Sequence, residues 1–338
     1  MDLLKLASSV VGDVTAWRHH LHAHPELSGQ EVETSAFVER MLREMGADEV
    51  RRAGKTGVVA LVRGVRPGPV FGLRADMDAL PVPELTDVEF KSQHENVMHA
   101  CGHDVHTAVL LGAAKVLCGV RDRIRGAVKF FFQPAEETGR GAKEMIAAGA
   151  LDAKDPPACV AALHVFPGIP AGTLGVRRGA FNASSDSFSL DVIGRQGHGA
   201  YPELCIDPIA VGAQVITALQ QLVSREVAPQ DSAVVTIGTI HGGVRSNIIA
   251  PDVKMTGTIR TVRSRVREHL FEAIPRVARL TAEALRACAG VEIREGTPAL
   301  VNDDGMFDRL VSVAERVVGK DCIVAFENCS MGGEDFAF

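Results

Sequence analysis

The sequence predicts an α/β protein: a domain with a central mixed sheet flanked by helices, into which a smaller α+β domain of ferredoxin-like order is inserted. Three observations carry this. Helical and strand patterns alternate up to about residue 180, strict two-residue alternation begins just after it, and helical periodicity returns near the end. With 338 residues and 46% apolar composition, the chain is long enough for more than one core.

In chain order, "EVETSAFVERMLREMGA" places Phe37, Met41 and Met45 on one helical face, with Gly46 as its stop. "GVVALVRG" and "GPVFGLRAD" read as short strands bounded by glycine. "HTAVLLGAAKVLCGV" is a buried helix, and "GAVKFFFQP" reads as a strand covered on both faces. After Gly179, "SSDSFSLDVIG" sets Phe188, Leu190 and Val192 on one face and Ser187, Ser189 and Asp191 on the other. A helix from Pro208 to Arg225 follows, then strands "SAVVTIGTI" and "VKMTGTIRTV", a helix from Arg265 to Ala287, and "GVEIREG". This β-α-β-β-α-β order is the split βαβ unit. "VNDDGMFDRLVSVAERVVG" then resumes the style of the first half. The expected domains are residues 1–180 with 299–338, and residues 181–298.

Composition excludes several classes of function. A net charge of −6 with no run of lysine and arginine argues against nucleic acid as a partner. The strongest apolar stretch, Ala108 to Val120, is too short to span a bilayer and carries Lys115, and Met1 to Gly12 does not read as a secretory signal; no membrane association is expected. Seven scattered cysteines do not form a disulfide framework, so a reduced, cytoplasmic protein is expected.

Candidate chemistry gathers at a few points. "MHACGHDVHTA" sets Cys101 and His103 two positions apart in the turn before the predicted helix. Asp104 follows as a candidate acceptor for the second ring proton of a metal-bound histidine. "FFFQPAEE" ends a predicted central strand on Glu136 and Glu137. Consecutive side chains diverge, so one carboxylate can bind a metal while its neighbour reaches a water. Metal-assisted hydrolysis divides its labour this way: a Lewis acid lowers the pKa of water and a carboxylate takes the proton. His164 in "VAALHVFPG" follows another apolar run. The competing reading is a nucleophilic Cys101 with His103 as its base. Their spacing along a tight turn makes that hydrogen bond awkward, and it leaves the glutamate pair without a role.

"RHHLHAHPELSG" holds His19, His20, His22 and His24, but no carboxylate completes an HExxH-type site, and structural roles are expected for them. In the inserted domain, "GRQGHGAYPE" puts His198 between glycines on a loop. "HGGVRSNIIAP" offers Arg245 and Asn247 between two strands, where they are suited to grip a carboxylate or an amide oxygen.

Taken together, "LRADMDALP", "MHACGHDVHTA", "QPAEE", "LHVFP", "GHGAYP", "GVRSNIIAPD", "GTIRT" and "MGGEDFAF" resemble, in order, the hippurate-hydrolase group of amidohydrolases. That group includes N-acyl-amino-acid deacylases and indole-3-acetyl-amino-acid hydrolases, within the wider metallopeptidase family of aminoacylases and glutamate carboxypeptidases. The resemblance runs from "HAHPEL" to the last residue. It implies a catalytic domain with a site for two divalent metal ions (zinc, manganese, cobalt or nickel) and an inserted lid or dimerisation domain, hence a homodimer. It implies that Cys101, His103, Glu137 and His164 are metal ligands and that Glu136 is the general base. His198 would polarise the scissile carbonyl, in many members from the partner subunit's lid, and Asn247 with Arg245 would hold the substrate. Asp78 matches an aspartate that follows the first metal histidine of the wider family; Asp76 stands where that histidine would be, and Cys101 takes over its role. The implied reaction is hydrolysis of the amide bond of acetyl, benzoyl or indole-acetyl amino acids.

Two departures stand out. Glu203 replaces a histidine that often follows the proline of "GHGAxP". Members also continue past "EDF" to a further metal-binding histidine, whereas no histidine follows His269 here. An impaired second metal site is therefore expected, with a weak or inactive homologue acting as a dimeric binding or scaffold protein as the alternative.

Overall fold

The computed structural model describes residues 3–152 and 154–338, which group into two compact units. The first runs to Val176 and takes in Gly305–Ala325 and Phe338; the second comprises Arg177–Asp304 and Phe326–Ala337.

The first unit contains helix α1 (Leu3–Ala23), helix α2 (Val32–Glu44), strands β1 (Glu49–Ala53), β2 (Gly57–Arg63) and β3 (Arg66–Asp76), and helix α3 (His103–Gly119). Strand β4 (Arg125–Gln133), helix α4 (Gly141–Ala147) and strand β5 (Pro157–Ala162) follow. The sheet order is β1-β2-β4-β3-β5. Strands β3, β4 and β5 run parallel, and β2 is antiparallel to both its neighbours, so the sheet is mixed. β4 lies in the middle and both its faces are covered. Phe130 and Phe132 join Leu21, Phe37, Leu42 and Leu111 on the α1–α3 side, while Phe131 faces Val59, Met145 and Ala150 on the other. Three consecutive phenylalanines thus serve two cores, because successive strand side chains alternate between faces.

Helix α3 starts earlier than its apolar run suggests. Its N-cap, Gly102, has φ of +85°. A Cβ there would lie 2.4 Å from Val165 Cγ2, so both backbone conformation and space demand glycine. His103 is therefore the first residue of the helix, not part of a preceding turn. Helix α1 packs on α3, and a Cβ on Gly112 would sit 2.5 Å from Val14 Cγ2 at that crossing.

The second unit contains strand β6 (Ser185–Ile193), helix α5 (Pro208–Gln221), strands β7 (Ala233–Gly242) and β8 (Asp252–Thr261), helix α6 (Ser264–Ala284) and strand β9 (Cys288–Thr297). The order is β7-β8-β6-β9, with every neighbour antiparallel, which is the ferredoxin-like arrangement. Phe188, Leu190 and Val192 of β6 pack against Val211, Val215 and Leu219 of α5 and Leu270 and Ile274 of α6. The Asp207 side chain caps α5 by accepting from Ile209 N at 2.9 Å, and the last turn passes into a wider one over Leu222–Glu226.

Helix α7 (Asp304–Val318) returns to the first unit, but Phe326–Ala337 groups with the second. The sequence had suggested the first unit for all of 299–338. Backbone bonds account for the difference: Ser330 N donates to Phe181 O at 2.9 Å and Ala183 N donates to Ser330 O at 2.8 Å. Among the described residues, no helix is long and apolar enough to cross a membrane.

Candidate metal centre

Three parallel strands, β3, β4 and β5, end on the same side of the first sheet, and the residues that follow each end carry the polar groups. Open α/β sheets place their sites there because strand ends leave loops free to diverge. After β3 come Asp76, its last residue, and Asp78; after β4 come Glu136 and Glu137; after β5 comes His164, and the N-terminus of α3 supplies Cys101 and His103.

These side chains converge. Ligand atoms of Cys101, His103 and His164 lie within 4.8 Å of one another, as do those of His103, Glu136 and Glu137. His103 belongs to both groups. Its ring Nδ1 donates to Asp78 Oδ1 at 3.2 Å, and its Nε2 lies 3.9 Å from Glu137 Oε1 and 3.7 Å from Asp76 Oδ2. That Nε2 is buried without a hydrogen-bond partner among the described residues. His164 donates from Nδ1 to Val165 O at 2.6 Å, which leaves Nε2 as the lone-pair nitrogen, 3.5 Å from Cys101 Sγ.

The electrostatics favour a cation. Burial opposes the charged form of His103, yet Asp78, Cys101 and Asp76 outweigh it and its pKa is pushed up to about 12. Burial pushes the Glu137 carboxyl up, and the neighbouring aspartates reinforce this against the pull of His103. The closeness of His103 pulls the Cys101 thiol down, but burial and Glu137 prevail and leave it raised. A raised thiol pKa is a poor setting for a nucleophile. Sulfur, imidazole and carboxylate donors around an orphaned ring nitrogen fit a divalent cation such as zinc, whose arrival displaces the ligand protons.

A third group, Asp76, His103 and His106, also lies within 4.8 Å, but the donors of Asp76 and His106 are spoken for. His106 donates from Nδ1 to Asp76 Oδ1 at 2.5 Å and accepts Val165 N–H on Nε2 at 2.9 Å. Arg74 reaches Asp76 Oδ2 at 2.7 Å. Burial works against the Asp76 carboxylate, but Arg74 and the two histidines hold its pKa well below the usual range. Sequence reasoning missed His106; its i, i+3 position from His103 on α3 was the available signal.

Asp78 is the hub. Its Oδ1 accepts from His103 and from Glu136 N at 3.1 Å, and its Oδ2 accepts from Glu137 N at 3.1 Å and Ser28 Oγ at 2.6 Å. Asp104 does not take the role expected of it. Its Oδ2 instead binds His22 Nδ1 at 2.8 Å and Arg18 Nε at 2.8 Å. Side chains one residue apart on a helix point about 100° apart, so Asp104 turns away from the face His103 presents. His22 is held on its other nitrogen by Glu84 at 3.1 Å, and the remaining early histidines are also in structural settings: His19 stacks on Phe90, and His20 leans on Phe37.

His198, Arg245 and Asn247 belong to the second unit, all exposed. His198 pairs with Ile248 in a two-residue ribbon, and Gly199 N donates to Asn247 O at 2.9 Å, so His198 and Asn247 are neighbours along it. Arg245 O accepts Ile248 N–H at 3.2 Å.

Known proteins resemble this chain over most of its length. The sequence profile of peptidase family M20/M25/M40 matches residues 72–338. An N-acyl-L-amino acid amidohydrolase from Geobacillus stearothermophilus is 42% identical over 304 residues, covering 90% of this chain and 81% of that one. A hippurate hydrolase from Campylobacter jejuni is 38% identical over 338 residues, covering 100% and 88%. The crystal structure of a dinuclear metal binding peptidase of the M20 family from Bacillus subtilis superposes with a TM-score of 0.83 at 35% identity, covering 98% of this chain and 85% of that one. Fold and relatives together define an enzyme of the amidohydrolase class, and the donor set and the M20 neighbour support divalent metal ions as its cofactor. The chain belongs to peptidase family M20/M25/M40.

Proposed function

We propose that this chain hydrolyses the amide bond of N-acyl amino acids, with Cys101, His103, Glu137 and His164 holding divalent metal ions and Glu136 as general base. The observation that carries the reading is the convergence of thiol, imidazole and carboxylate on His103 at the parallel strand ends. The relatives' named activities on N-acyl amino acids and hippurate support the substrate class.

Divalent ions held there would polarise a carbonyl oxygen and make water more acidic. Glu136 takes a proton from the attacking water and returns it to the leaving amine, a task suited to a carboxylate beside a ligating neighbour. Asp78 keeps Glu136 and Glu137 in register by fixing both their backbone N–H groups. Asp78 also sets the ring of His103, and Asp104 acts one layer further back by neutralising Arg18 and His22. His198 stabilises the developing oxyanion, and Asn247 with Arg245 receives the free carboxylate of the amino acid. Zinc, manganese, cobalt and nickel all suit the donor set. The exposed edge strand β7, with Val234 and Ile240 open to solvent, suits pairing of two copies through the second unit. The seven free cysteines suit a reducing, cytoplasmic setting.

The test combines metal analysis with turnover of N-acetyl, N-benzoyl and indole-acetyl amino acids. Bound divalent metal, hydrolysis of at least one class, loss on chelation and recovery on metal return are expected. Hydrolysis that persists after complete removal of metal would overturn the reading.

A further inference from the structure

We propose that Glu31 is a positioning residue for the turn that carries Glu136 and Glu137, an inference that rests on the reading above for the roles of those two glutamates. Glu31 is fully buried, at 0% exposure, and stands 104 residues from that turn. Its Oε1 accepts Ala135 N–H at 2.9 Å and Gly29 N–H at 2.8 Å, and its Oε2 accepts from Thr56 Oγ1 at 2.7 Å. The carboxylate therefore ties the entry of α2 and the start of β2 to the exit of β4.

Ala135 is where this matters. It has φ of +52°, in the left-handed region that alanine rarely adopts. Its carbonyl accepts Gly141 N at 3.2 Å and Thr138 Oγ1 at 3.1 Å, so the turn is gripped from both sides of this residue. Three consecutive N–H groups, those of Ala135, Glu136 and Glu137, end on buried carboxylates: the first on Glu31, the next two on Asp78. If Glu31 let go, Ala135 would be free to relax toward negative φ. The chain direction into Glu136 would then rotate, moving the base relative to Glu137. Displacements of about 1 Å at a reacting group lower rates by about 100-fold.

Three variants decide the matter. Glu31→Asp keeps the charge but withdraws the oxygens from Ala135 N. Glu31→Gln keeps an oxygen for Ala135 N and Gly29 N, and the Thr56 hydroxyl can turn to accept from the new amide. Thr56→Val removes one bond of the carboxylate without touching the turn. Two readouts are taken: kcat and KM on hippurate or N-acetyl-L-methionine, whichever the wild type hydrolyses, and hydrogen exchange at residues 135–137 in the metal-free protein. Glu31→Asp is expected to lose about 100-fold in kcat with KM within about threefold, and to exchange those amides about tenfold faster. Glu31→Gln and Thr56→Val are expected to match the wild type in both, even where Thr56→Val lowers the melting temperature. If Glu31→Asp does not fold, the double variant E31D/A135G replaces it and is compared with A135G, since glycine takes positive φ without a side-chain clash.

Unchanged kcat or unchanged exchange in the Asp variant overturns the proposal, and so does a Gln variant that falls with it. If the wild type cleaves neither substrate, the functional reading fails by itself, and the exchange measurement alone decides whether Glu31 holds the turn.

Discussion

Asp78 and His103 are joined by a 3.2 Å hydrogen bond from the ring Nδ1 to Oδ1, which turns the opposite ring nitrogen toward Glu137. The same carboxylate receives the N–H groups of Glu136 and Glu137, so one side chain sets both the imidazole and the acidic pair. Burial raises the Asp78 carboxyl pKa, but the bonds from His103 and Ser28 outweigh it and keep the group ionised.

Asp78→Asn should therefore weaken metal binding. An amide cannot accept on both sides, so either His103 or one of the glutamate N–H groups loses its acceptor. The expected loss of affinity is about 10- to 100-fold, read by competition with a chromogenic chelator. Wild-type affinity in this variant would remove Asp78 from the site's support.

Glu136→Gln should keep its metal and lose turnover. General-base assistance of this kind is worth about 10²- to 10⁴-fold in rate. Metal content by elemental analysis beside kcat on the same sample separates this outcome from a loss of binding.

Cys101 tests the competing chemistry. Its raised thiol pKa predicts slow alkylation at neutral pH, and slower still in metal-loaded protein. Iodoacetamide should leave turnover of the loaded enzyme intact while chelation abolishes it. The reverse pattern would identify a nucleophilic thiol.

His99 makes stability depend on acid. It is 4% exposed, neither ring nitrogen has a hydrogen-bond partner among the described residues, and burial drives its pKa down to about 4. The unfolded chain takes up this proton near pH 6.5, so stability is lost as pH falls from 6.5 toward 4. At pH 5 the loss from this group is ~2 kcal/mol. Urea unfolding of His99→Leu and wild type, at pH 7 and pH 5, should show a flatter response in the variant.

What the sequence revealed follows from the range of the interactions involved. Strands and the body of α3 were legible because their patterns are local: alternation in "SFSLDV", and a continuous apolar run in "FFF". Glu136, Glu137 and His164 could be picked out as candidates because they stand just past such segments, and Cys101 and His103 because they stand just before one. Asp76, His106 and Glu31 were not, because the bonds that tie them to the site, His106 to Asp76 and Ala135 to Glu31, span 30 and 104 residues. Asp104 was misread through neglect of helical phase at the first turn of α3. Helix α1 went unread because its last turn is crowded with histidines and its first turn carries no acid.

The placing of β4 bears on how the enzyme is charged with its ions. A strand held by phenylalanines on both faces cannot itself shift without opening two cores, so the base of the site keeps its place without the ions. Stripped protein should thus remain a rigid vessel, and each ion should enter in a simple bimolecular step with no refolding lag. Small zinc folds behave otherwise, staying unstructured until their ion arrives.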